Sequence, residues 1–190
     1  GIPMPKTLPG LLCYRPERSV LPAAVARVEK EFGYPLVVKE SYGSLGRGDY
    51  LVHDRGELLS VMEQVRMKPH LFQEFIRESA GRDLRVIVVG DEALGGMVRI
   101  SGGDFRSNLA RGGRSEPYPV DEETAALAVR IAKILKLDYC GIDFLFGKDG
   151  LTVCEVNSNA FFMGFEHTTG INFAKNYAEH ILRTLDARRK

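Results

Sequence analysis

Two carboxylates and an amide stand where an apolar hairpin would carry hydrophobic side chains. Residues 141–157, GIDFLFGKDGLTVCEVN, form two apolar runs joined by a turn at Lys148-Asp149-Gly150. Asp143 lies in the first run, and Glu155 and Asn157 lie in the second. Carboxylates are rarely fully buried in proteins unless they are paired or bind a metal. If these carboxylates are buried, each requires an ion-pair partner or a metal ion. Which of these is available depends on whether the three side chains lie on the same face of the hairpin.

The type of turn determines which residues share a face. A two-residue turn at Asp149-Gly150 places Asp143 opposite Val156 and sends Glu155 to the other face. A three-residue loop with a left-handed glycine is the next most common hairpin connection, and it places Asp143 opposite Glu155. Asn157 then lies on the same face, because side chains alternate along a strand. Carboxylate and amide oxygens suit Mg²⁺, so this register predicts a magnesium site. The alternative is the solvated outer face of an ordinary hairpin.

The composition is that of a globular protein with one large domain or two small ones. The chain has 190 residues, of which 44% are hydrophobic and 27% are charged, and its net charge is +1. A net charge close to zero argues against a dedicated nucleic-acid binder. The sequence contains no run of about 18 apolar residues, which is the length that a membrane-spanning helix requires. Three widely spaced cysteines fit neither a disulfide framework nor a zinc site. We therefore expect reduced thiols and a cytoplasmic protein.

Hairpins and helices in series predict an α+β fold with antiparallel sheets. Strands are predicted at residues 36–40, 50–53, 71–76, 84–90 and 93–100, in addition to the hairpin described above. Helices are predicted over residues 22–32, from Asp54 through Arg66, after Asp121, and from about Asn172 with Phe173, Tyr177, Ile181 and Leu185 facing inward. Residues 101–119 are predicted as a polar loop, and a loop that contains glycine and threonine is predicted between the hairpin and the last helix.

We expect two subdomains. Residues 1–73 form a small unit with a glycine-rich loop, and residues 74–190 form a larger unit with the acidic hairpin. Clefts between two such units commonly hold ligands. The proline-rich start, GIPMPKTLPG, is typical of a linker, so we expect a further domain upstream of it.

A glycine-rich loop follows the strand that contains Lys39. Its sequence is GSLGRG, with Gly43, Ser44, Gly46 and Gly48 as the candidate phosphate-binding residues. Glycine lets backbone amides approach a phosphate, and successive N–H groups can bind an anion. The loop lacks the Gly-Lys-Ser/Thr of a Walker motif, and a strand follows it where a Rossmann motif has a helix. A flexible hairpin loop without a ligand is the alternative.

Three further segments carry polar groups. Gln73-Glu74-Phe75-Ile76 is either a core strand or an edge for adenine and ribose. Asp83 and Arg85 share one face of a strand, and Arg99 lies on the next strand. These residues form either a surface ion pair, which contributes little to stability, or part of an anion site. The arginine-rich stretch FRSNLARGG, residues 105–113, suggests an anionic ligand, with solvated loop arginines as the alternative.

Read together, these segments resemble the ATP-grasp ligases. The matching segments, in order, are Lys39, GSLGRG, QEFI, GRDLRVIVVGD, GDFRSNLARGG, GIDFLF, CEVN and TTGIN. The chain is most similar to the RimK-type glutamate ligases, which modify the carboxyl end of a ribosomal protein, and to the related amino-acid ligases of lysine biosynthesis. The resemblance covers nearly all of the chain and implies two α+β subdomains that clasp ATP.

The resemblance also implies roles for individual residues. The implied ATP-binding residues are Lys39, Gly43, Ser44, Gly46, Gly48, Gln73, Glu74, Phe75, Ile76, Asp83, Ser107 and Asn108. The implied catalytic residues, which stabilise charge on phosphate and on the developing oxyanion, are Arg85, Arg99, Arg106 and Arg111. Asp143, Glu155 and Asn157 are the implied ligands of two Mg²⁺ ions, with Mn²⁺ as an alternative metal and Glu155 bridging the two ions.

The implied activity is a ligase that joins an amino acid such as glutamate to a carboxylate through an acyl phosphate. The acceptor is a peptide, a protein C-terminus or a small molecule, and the full-length protein is expected to be a homo-oligomer. A nucleotide-binding regulatory module without ligase turnover is the alternative. The chain departs from the RimK pattern after Asn157, where residues 158–164 read SNAFFMG and RimK-type enzymes carry a Ser-Pro-Gly stretch.

Overall fold

The chain forms two compact units, each built on one antiparallel sheet. The computed structural model describes residues 1–13, 20–43, 46–107, 109 and 112–189. One unit comprises Pro5–Arg77, and the other comprises Gly1–Met4 together with Glu78–Lys190. All strand pairs that the structure describes are antiparallel, so the predicted α+β class is confirmed.

The smaller unit packs two helices on one face of a four-stranded sheet. Its strands are β1 (Thr7–Pro9), β2 (Leu36–Glu40), β3 (Asp49–Val52) and β4 (His70–Glu74), in the spatial order β1-β4-β2-β3. Its helices are α1 (Val20–Phe32) and α2 (Arg55–Val65). The carboxylate of Asp54 caps α2 by accepting from the backbone N–H of Glu57 at 2.9 Å, as the sequence predicts.

The helices determine which face of this sheet holds the core. Leu36 and Val38 on β2 and Phe72 on β4 are buried against the apolar faces of α1 and α2. Because side chains alternate along a strand, Lys39 lies on the opposite face of β2. Lys39 therefore lies on the face that α1 and α2 do not cover.

The larger unit has a five-stranded sheet with helices on both faces. Its strands are β5 (Arg82–Val89), β6 (Glu92–Ile100), β7 (Arg114–Tyr118), β8 (Tyr139–Gly147) and β9 (Gly150–Asn157), in the spatial order β7-β6-β5-β8-β9. Its helices are α3 (Glu122–Leu135), α4 (Met163–Thr169) and α5 (Phe173–Arg188). The helix predicted after Asp121 is capped by this residue, which accepts from the backbone N–H of Thr124, and α5 is capped by Asn172, which accepts from that of Lys175.

The two faces of this sheet have different cores. Even-numbered residues of β5 and β8, such as Val86 and Ile142, pack against α3. Odd-numbered residues of β5, such as Ile87, pack with Phe165 of α4 and Phe173 of α5. Asp83, Arg85 and Asp143 are odd-numbered too, so the charged residues of these strands extend the face that α4 and α5 cover in part.

The acidic hairpin reaches the predicted pairing by a different route. Its turn has two residues, Lys148 and Asp149, and Gly147 pairs with Gly150. A β-bulge then shifts the register, because Phe144 pairs with Val153 whereas Asp143 pairs with Glu155. The extra residue is Cys154. Asp143 does lie opposite Glu155, as the three-residue loop would require, but neither predicted turn is present and the bulge supplies the correction.

Four segments differ from the sequence-based expectation. The predicted linker contains Thr7–Pro9, which form the strand β1 and pair with β4. The predicted loop at residues 101–119 contains the edge strand β7, whose Pro117 suits an edge position. The segment after Asn157, predicted as a loop, contains the short helix α4. In α5, Phe173 is buried, but Ile181 and Leu185 are 42% and 47% exposed, so the inward face predicted for this helix does not extend through its C-terminal half. None of the helices formed by the described residues is long and apolar enough to cross a membrane.

Candidate functional site

A row of alternating charges crosses three strands of the larger sheet. Register places Arg85 opposite Asp143 and Asp83 opposite Arg99. These four side chains share one face and are all buried, with residue exposures between 2% for Asp143 and 8% for Arg85. The surface ion pair considered from the sequence is therefore an internal one.

The four residues are joined by charge-assisted hydrogen bonds. Arg85 donates from Nε and Nη2 to the two carboxylate oxygens of Asp143, each at 2.7 Å. Arg99 donates from Nε to Oδ1 of Asp83 at 2.7 Å and from Nη2 to Oδ2 of the same residue. The same Nη2 donates to Oδ2 of Asp143 at 2.8 Å. We call these four residues the buried quartet. Its bidentate geometry is the strongest form of this interaction.

Burial and charge act against each other on the two aspartates. Burial raises the pKa of the Asp83 carboxyl above its usual value, in opposition to the hydrogen bond from Arg99. Burial also disfavours ionisation of Asp143, but the positive charges of Arg99 and Arg85 outweigh it and lower the pKa of this carboxyl. Desolvation works to lower the pKa of Arg99, whereas Asp143 and Asp83 raise it above its usual value. Asp143 is therefore held as a carboxylate.

Glu155 and Asn157 complete a cluster of polar groups beside Asp143. The Asn157 amide nitrogen donates to Oε1 of Glu155 at 2.8 Å and lies 3.4 Å from Oδ2 of Asp143. Glu155 is exposed, whereas Asp143 is almost fully buried. The structure thus brings the three predicted metal ligands together on one face of β8 and β9.

This donor set contains two acids and an amide. Among the residues that the structure describes, no group of three or more His, Cys, Asp or Glu side chains is placed to hold a metal ion. The predicted set does not depend on a third acid, because its third member is Asn157, whose amide can present an oxygen in place of its nitrogen. These oxygens fit a hard cation that retains part of its water.

The residues of the arginine-rich segment after β6 make different contacts. Arg106 forms an ion pair with Asp104, with Nη2 and Oδ2 at 2.8 Å, and its guanidinium lies over the ring of Phe105. Ser107 is buried, and its side chain acts to lower the pKa of the Asp83 carboxyl. The other two predicted residues of this segment, Asn108 and Arg111, lie outside the described part of the chain. Sequence reasoning missed Asp104, although its position two residues before Arg106 allows the pair.

The predicted phosphate-binding residues lie in the smaller unit. Lys39 is on β2 and pairs in register with Asp49. Gly46 and Gly48 have φ values of 69° and 81°, which favour glycine. A Cβ at Gly43 would lie 2.4 Å from the Arg47 carbonyl oxygen, so this loop also requires glycine for space. Ser44, the remaining predicted residue of the loop, lies outside the described residues.

The segment Gln73-Glu74-Phe75-Ile76 is only in part a strand. Gln73 is buried, and its side-chain amide donates to the Thr7 hydroxyl at 3.1 Å. The backbone N–H of Glu74 donates to the Lys6 carbonyl, and its side chain accepts from the Lys6 backbone N–H. Phe75 and Ile76 follow the end of β4 and are half-buried. The exposed Glu74 is thus the member of this segment with an accessible charged group.

Comparison with known families and curated proteins gives consistent matches. Residues 11–181 match the family described as RimK-like ATP-grasp domain. The chain is 40% identical over 159 residues to β-citrylglutamate synthase B of Danio rerio, covering 82% of this chain and 39% of that protein. It is 38% identical over 159 residues to N-acetylaspartylglutamate synthase A of Mus musculus, covering 82% and 42%. A probable α-L-glutamate ligase of Histophilus somni is 38% identical over 150 residues, covering 77% and 50%. The chain therefore spans about two-fifths to one-half of these relatives.

Solved structures agree in fold. The ATP-grasp ligase PsnB, complexed with a minimal precursor, Mg and ADP, superposes with a TM-score of 0.72 at 26% identity, covering 97% of this chain and 54% of that one. A RimK domain protein from Sphaerobacter thermophilus gives a TM-score of 0.67 at 25% identity, covering 94% and 61%. D-alanine–D-alanine ligase from Bacillus anthracis, at 19% identity and a TM-score of 0.71, covers 99% and 64% and shares the fold.

Proposed function

Because the chain belongs to the RimK-like ATP-grasp domain family, we propose that it is the nucleotide-binding part of an ATP-dependent ligase that joins a carboxylate to an amine. The observation that carries this proposal is the bulged hairpin, which brings Asp143, Glu155 and Asn157 onto one face. A hairpin with a merely solvated outer face would not bury one of its acids between two arginines.

We propose that these three residues hold Mg²⁺ together with the phosphates of ATP. Two ions, with Glu155 shared between them, are the arrangement that the family resemblance implies, and Mn²⁺ could replace them. The bound ions would neutralise negative charge on the phosphates. The exposed Glu155 provides an accessible carboxylate, whereas Asp143 provides one whose orientation is fixed by Arg85 and Arg99.

The proposed reaction has two steps. A substrate carboxylate oxygen attacks the γ-phosphorus of ATP and the bond to ADP breaks, which gives an acyl phosphate. The amine nitrogen then attacks the acyl carbon, phosphate leaves, and the amine loses a proton. No side-chain nucleophile is required. In this scheme Lys39 and the glycine loop bind phosphate, Glu74 contacts the nucleoside, and arginine side chains stabilise the developing oxyanion.

We propose glutamate as the amine substrate. The names of the three relatives given above all contain glutamate, although their other halves differ: citrate, N-acetylaspartate and an unspecified acceptor. A shared glutamate with a variable partner suggests that the carboxylate, not the amine, distinguishes members of the family. A peptide carboxylate is a further candidate for this chain, because PsnB was solved with its precursor.

A nucleotide-binding module without ligase turnover is the second candidate function. It is favoured by the contacts of Arg85, Arg99 and Arg106, each of which pairs with an aspartate. Arginines that are already paired are less available to an oxyanion. The two functions differ in a measurable way, because only a ligase releases ADP in a manner that depends on both of its other substrates.

Calorimetric titration with Mg·ATP tests the metal-binding part of the proposal. Glu155→Gln keeps the size of the side chain and removes its charge, so the affinity should fall at least about tenfold. The thermal midpoint should stay close to that of wild type, because Glu155 is exposed. Glu116→Gln is the control, since this exposed residue lies on β7 of the same sheet. Equal affinities in wild type and Glu155→Gln would contradict the proposed site.

ADP release by the whole protein tests the ligase itself. Glutamate should be presented with citrate, N-acetylaspartate and peptides in turn, and each substrate should also be tested alone. Release that requires glutamate and one carboxylate supports the ligase. Mg·ATP binding without release in any combination supports the regulatory module.

A further inference from the structure

Asp83 lies at the far end of the buried quartet from the proposed cation site. Both of its carboxylate oxygens accept from Arg99. It is only 7% exposed. These internal contacts account for the position of this carboxylate without any contact to a nucleotide.

The charges of the quartet balance. Two aspartates and two arginines give a formal charge of zero, and Arg99 divides its donors unequally between the acids. It makes a bidentate contact with Asp83 but reaches Asp143 through Nη2 alone. Arg99 is thus compensated chiefly by Asp83, and Arg85 is the main partner of Asp143.

Removing the Asp83 charge would change this balance. The quartet would become net positive, and Arg99 would have Asp143 as its remaining acidic partner within the quartet. A divalent cation would then have to bind at a single carboxylate that both guanidinium groups share. In a buried environment such charge effects are screened weakly.

We propose that Asp83 is a positioning residue that compensates Arg99, and so leaves the Asp143 carboxylate with the negative charge that a divalent cation requires. This inference rests on the proposed function, because it takes Asp143, Glu155 and Asn157 as the cation ligands. It adds that Asp83, which does not contact the cation, affects the cation affinity of the site through its contact with Arg99.

Mn²⁺ binding, followed by electron paramagnetic resonance on the chain with ADP present, tests this role without measuring activity. Asp83→Asn should weaken Mn²⁺ binding by about 10- to 100-fold, the usual effect of removing a group that orients a metal ligand. Asp83→Glu restores the charge and should recover part of the affinity. Glu116→Gln removes a charge from the surface of the same sheet and should change the affinity less than about twofold.

A double variant separates charge compensation from other roles. Asp83→Asn combined with Arg99→Met returns the remaining pair to a net charge of zero, so Mn²⁺ affinity should return towards that of wild type. A ligand role or a purely structural role for Asp83 predicts that the double variant is at least as weak as Asp83→Asn alone. If Asp83→Asn alone fails to fold, the double variant is compared with wild type, and Mn²⁺ binding at least about tenfold weaker than that of wild type would contradict charge compensation.

The outcomes distinguish this inference from the proposed function. Mn²⁺ binding that Glu155→Gln removes but Asp83→Asn leaves intact would overturn the positioning role and retain the cation site. A double variant no tighter than Asp83→Asn would also overturn it. Failure of wild type to bind Mn²⁺ would overturn both.

Discussion

Replacing Asp143 should destabilise the larger unit far more than replacing Glu155, although both are proposed to bind the same cation. Asp143 is 2% exposed and accepts three hydrogen bonds of 2.7–2.8 Å from Arg85 and Arg99. Asp143→Asn keeps the shape of the side chain but removes its charge. The asparagine amide has only one oxygen that can accept hydrogen bonds from the arginines, because its nitrogen is a donor.

The magnitude follows from what remains buried. Removing one partner from a buried ion pair typically costs about 3–5 kcal/mol, because the other charge stays desolvated and uncompensated. Here Arg85 loses its bidentate acid, whereas Arg99 retains Asp83. For a chain of this length each kcal/mol lowers the thermal midpoint by roughly 2–4 °C. Asp143→Asn should therefore lower the midpoint by roughly 6–20 °C.

Circular dichroism melts and urea titrations measure this difference, and they suit a chain without tryptophan. Glu155→Gln and Glu116→Gln should remain within about 0.5 kcal/mol of wild type, as is usual for surface substitutions. Amide hydrogen exchange should show that the loss of protection in Asp143→Asn is concentrated in β5 and β8. A free energy of unfolding within about 1 kcal/mol of wild type would refute the argument that the buried quartet depends on Asp143.

Three further outcomes are expected. The backbone amides of residues 46–48 should gain exchange protection when Mg·ATP binds, and equal protection with and without nucleotide would indicate a loop that does not bind phosphate. Burial raises the pKa of the Cys140 thiol to about 11, so little reactive thiolate is present at pH 8. Mass spectrometry after alkylation at pH 8 should therefore find Cys140 unmodified in the native chain and modified in urea. The pKa of Glu40 is lowered by its hydrogen bond from Lys68 and further by Tyr50. The stability contributed by this carboxylate is therefore present above its unfolded pKa, near 4.3, and lost as the pH falls through its folded pKa. Glu40→Gln should reduce the acid sensitivity of the smaller unit in melts between pH 5 and 3, and an unchanged slope would exclude this contribution.

The elements with strong local signals were predictable from the sequence. The helix starts at Asp54 and Asp121 follow from side-chain capping, and the antiparallel hairpins follow from apolar runs separated by turns. The pairing of Asp143 with Glu155 was also predicted, but for the wrong reason. No residue type marks the position of this bulge. The sequence alone therefore cannot distinguish a three-residue turn without a bulge from a two-residue turn with one, because both pair Asp143 with Glu155.

The burial of the quartet was not predictable in the same way. Asp83 and Arg85 were placed correctly on one face, with Arg99 on the next strand, but local sequence gives no measure of the depth at which a charged side chain lies. The strand β7 was missed because Pro117 and the arginine-rich stretch before it are typical of loops. In α5, Ile181 and Leu185 have the spacing of a core face, yet both are exposed, and this spacing does not reveal whether anything packs against that face.

The bulge at Cys154 also affects how this hairpin can vary in evolution. A single insertion or deletion between the turn and Glu155 inverts the side-chain alternation, and would move Glu155 to the face opposite Asp143 unless the bulge changed as well. Loss of the bulge residue is different, because it would leave the acids paired and remove only the local kink. Hairpins of related proteins should therefore differ in tip length by pairs of residues, or by one residue together with gain or loss of the bulge. Alignments that place an isolated one-residue gap in this hairpin away from the bulge would misassign the acids.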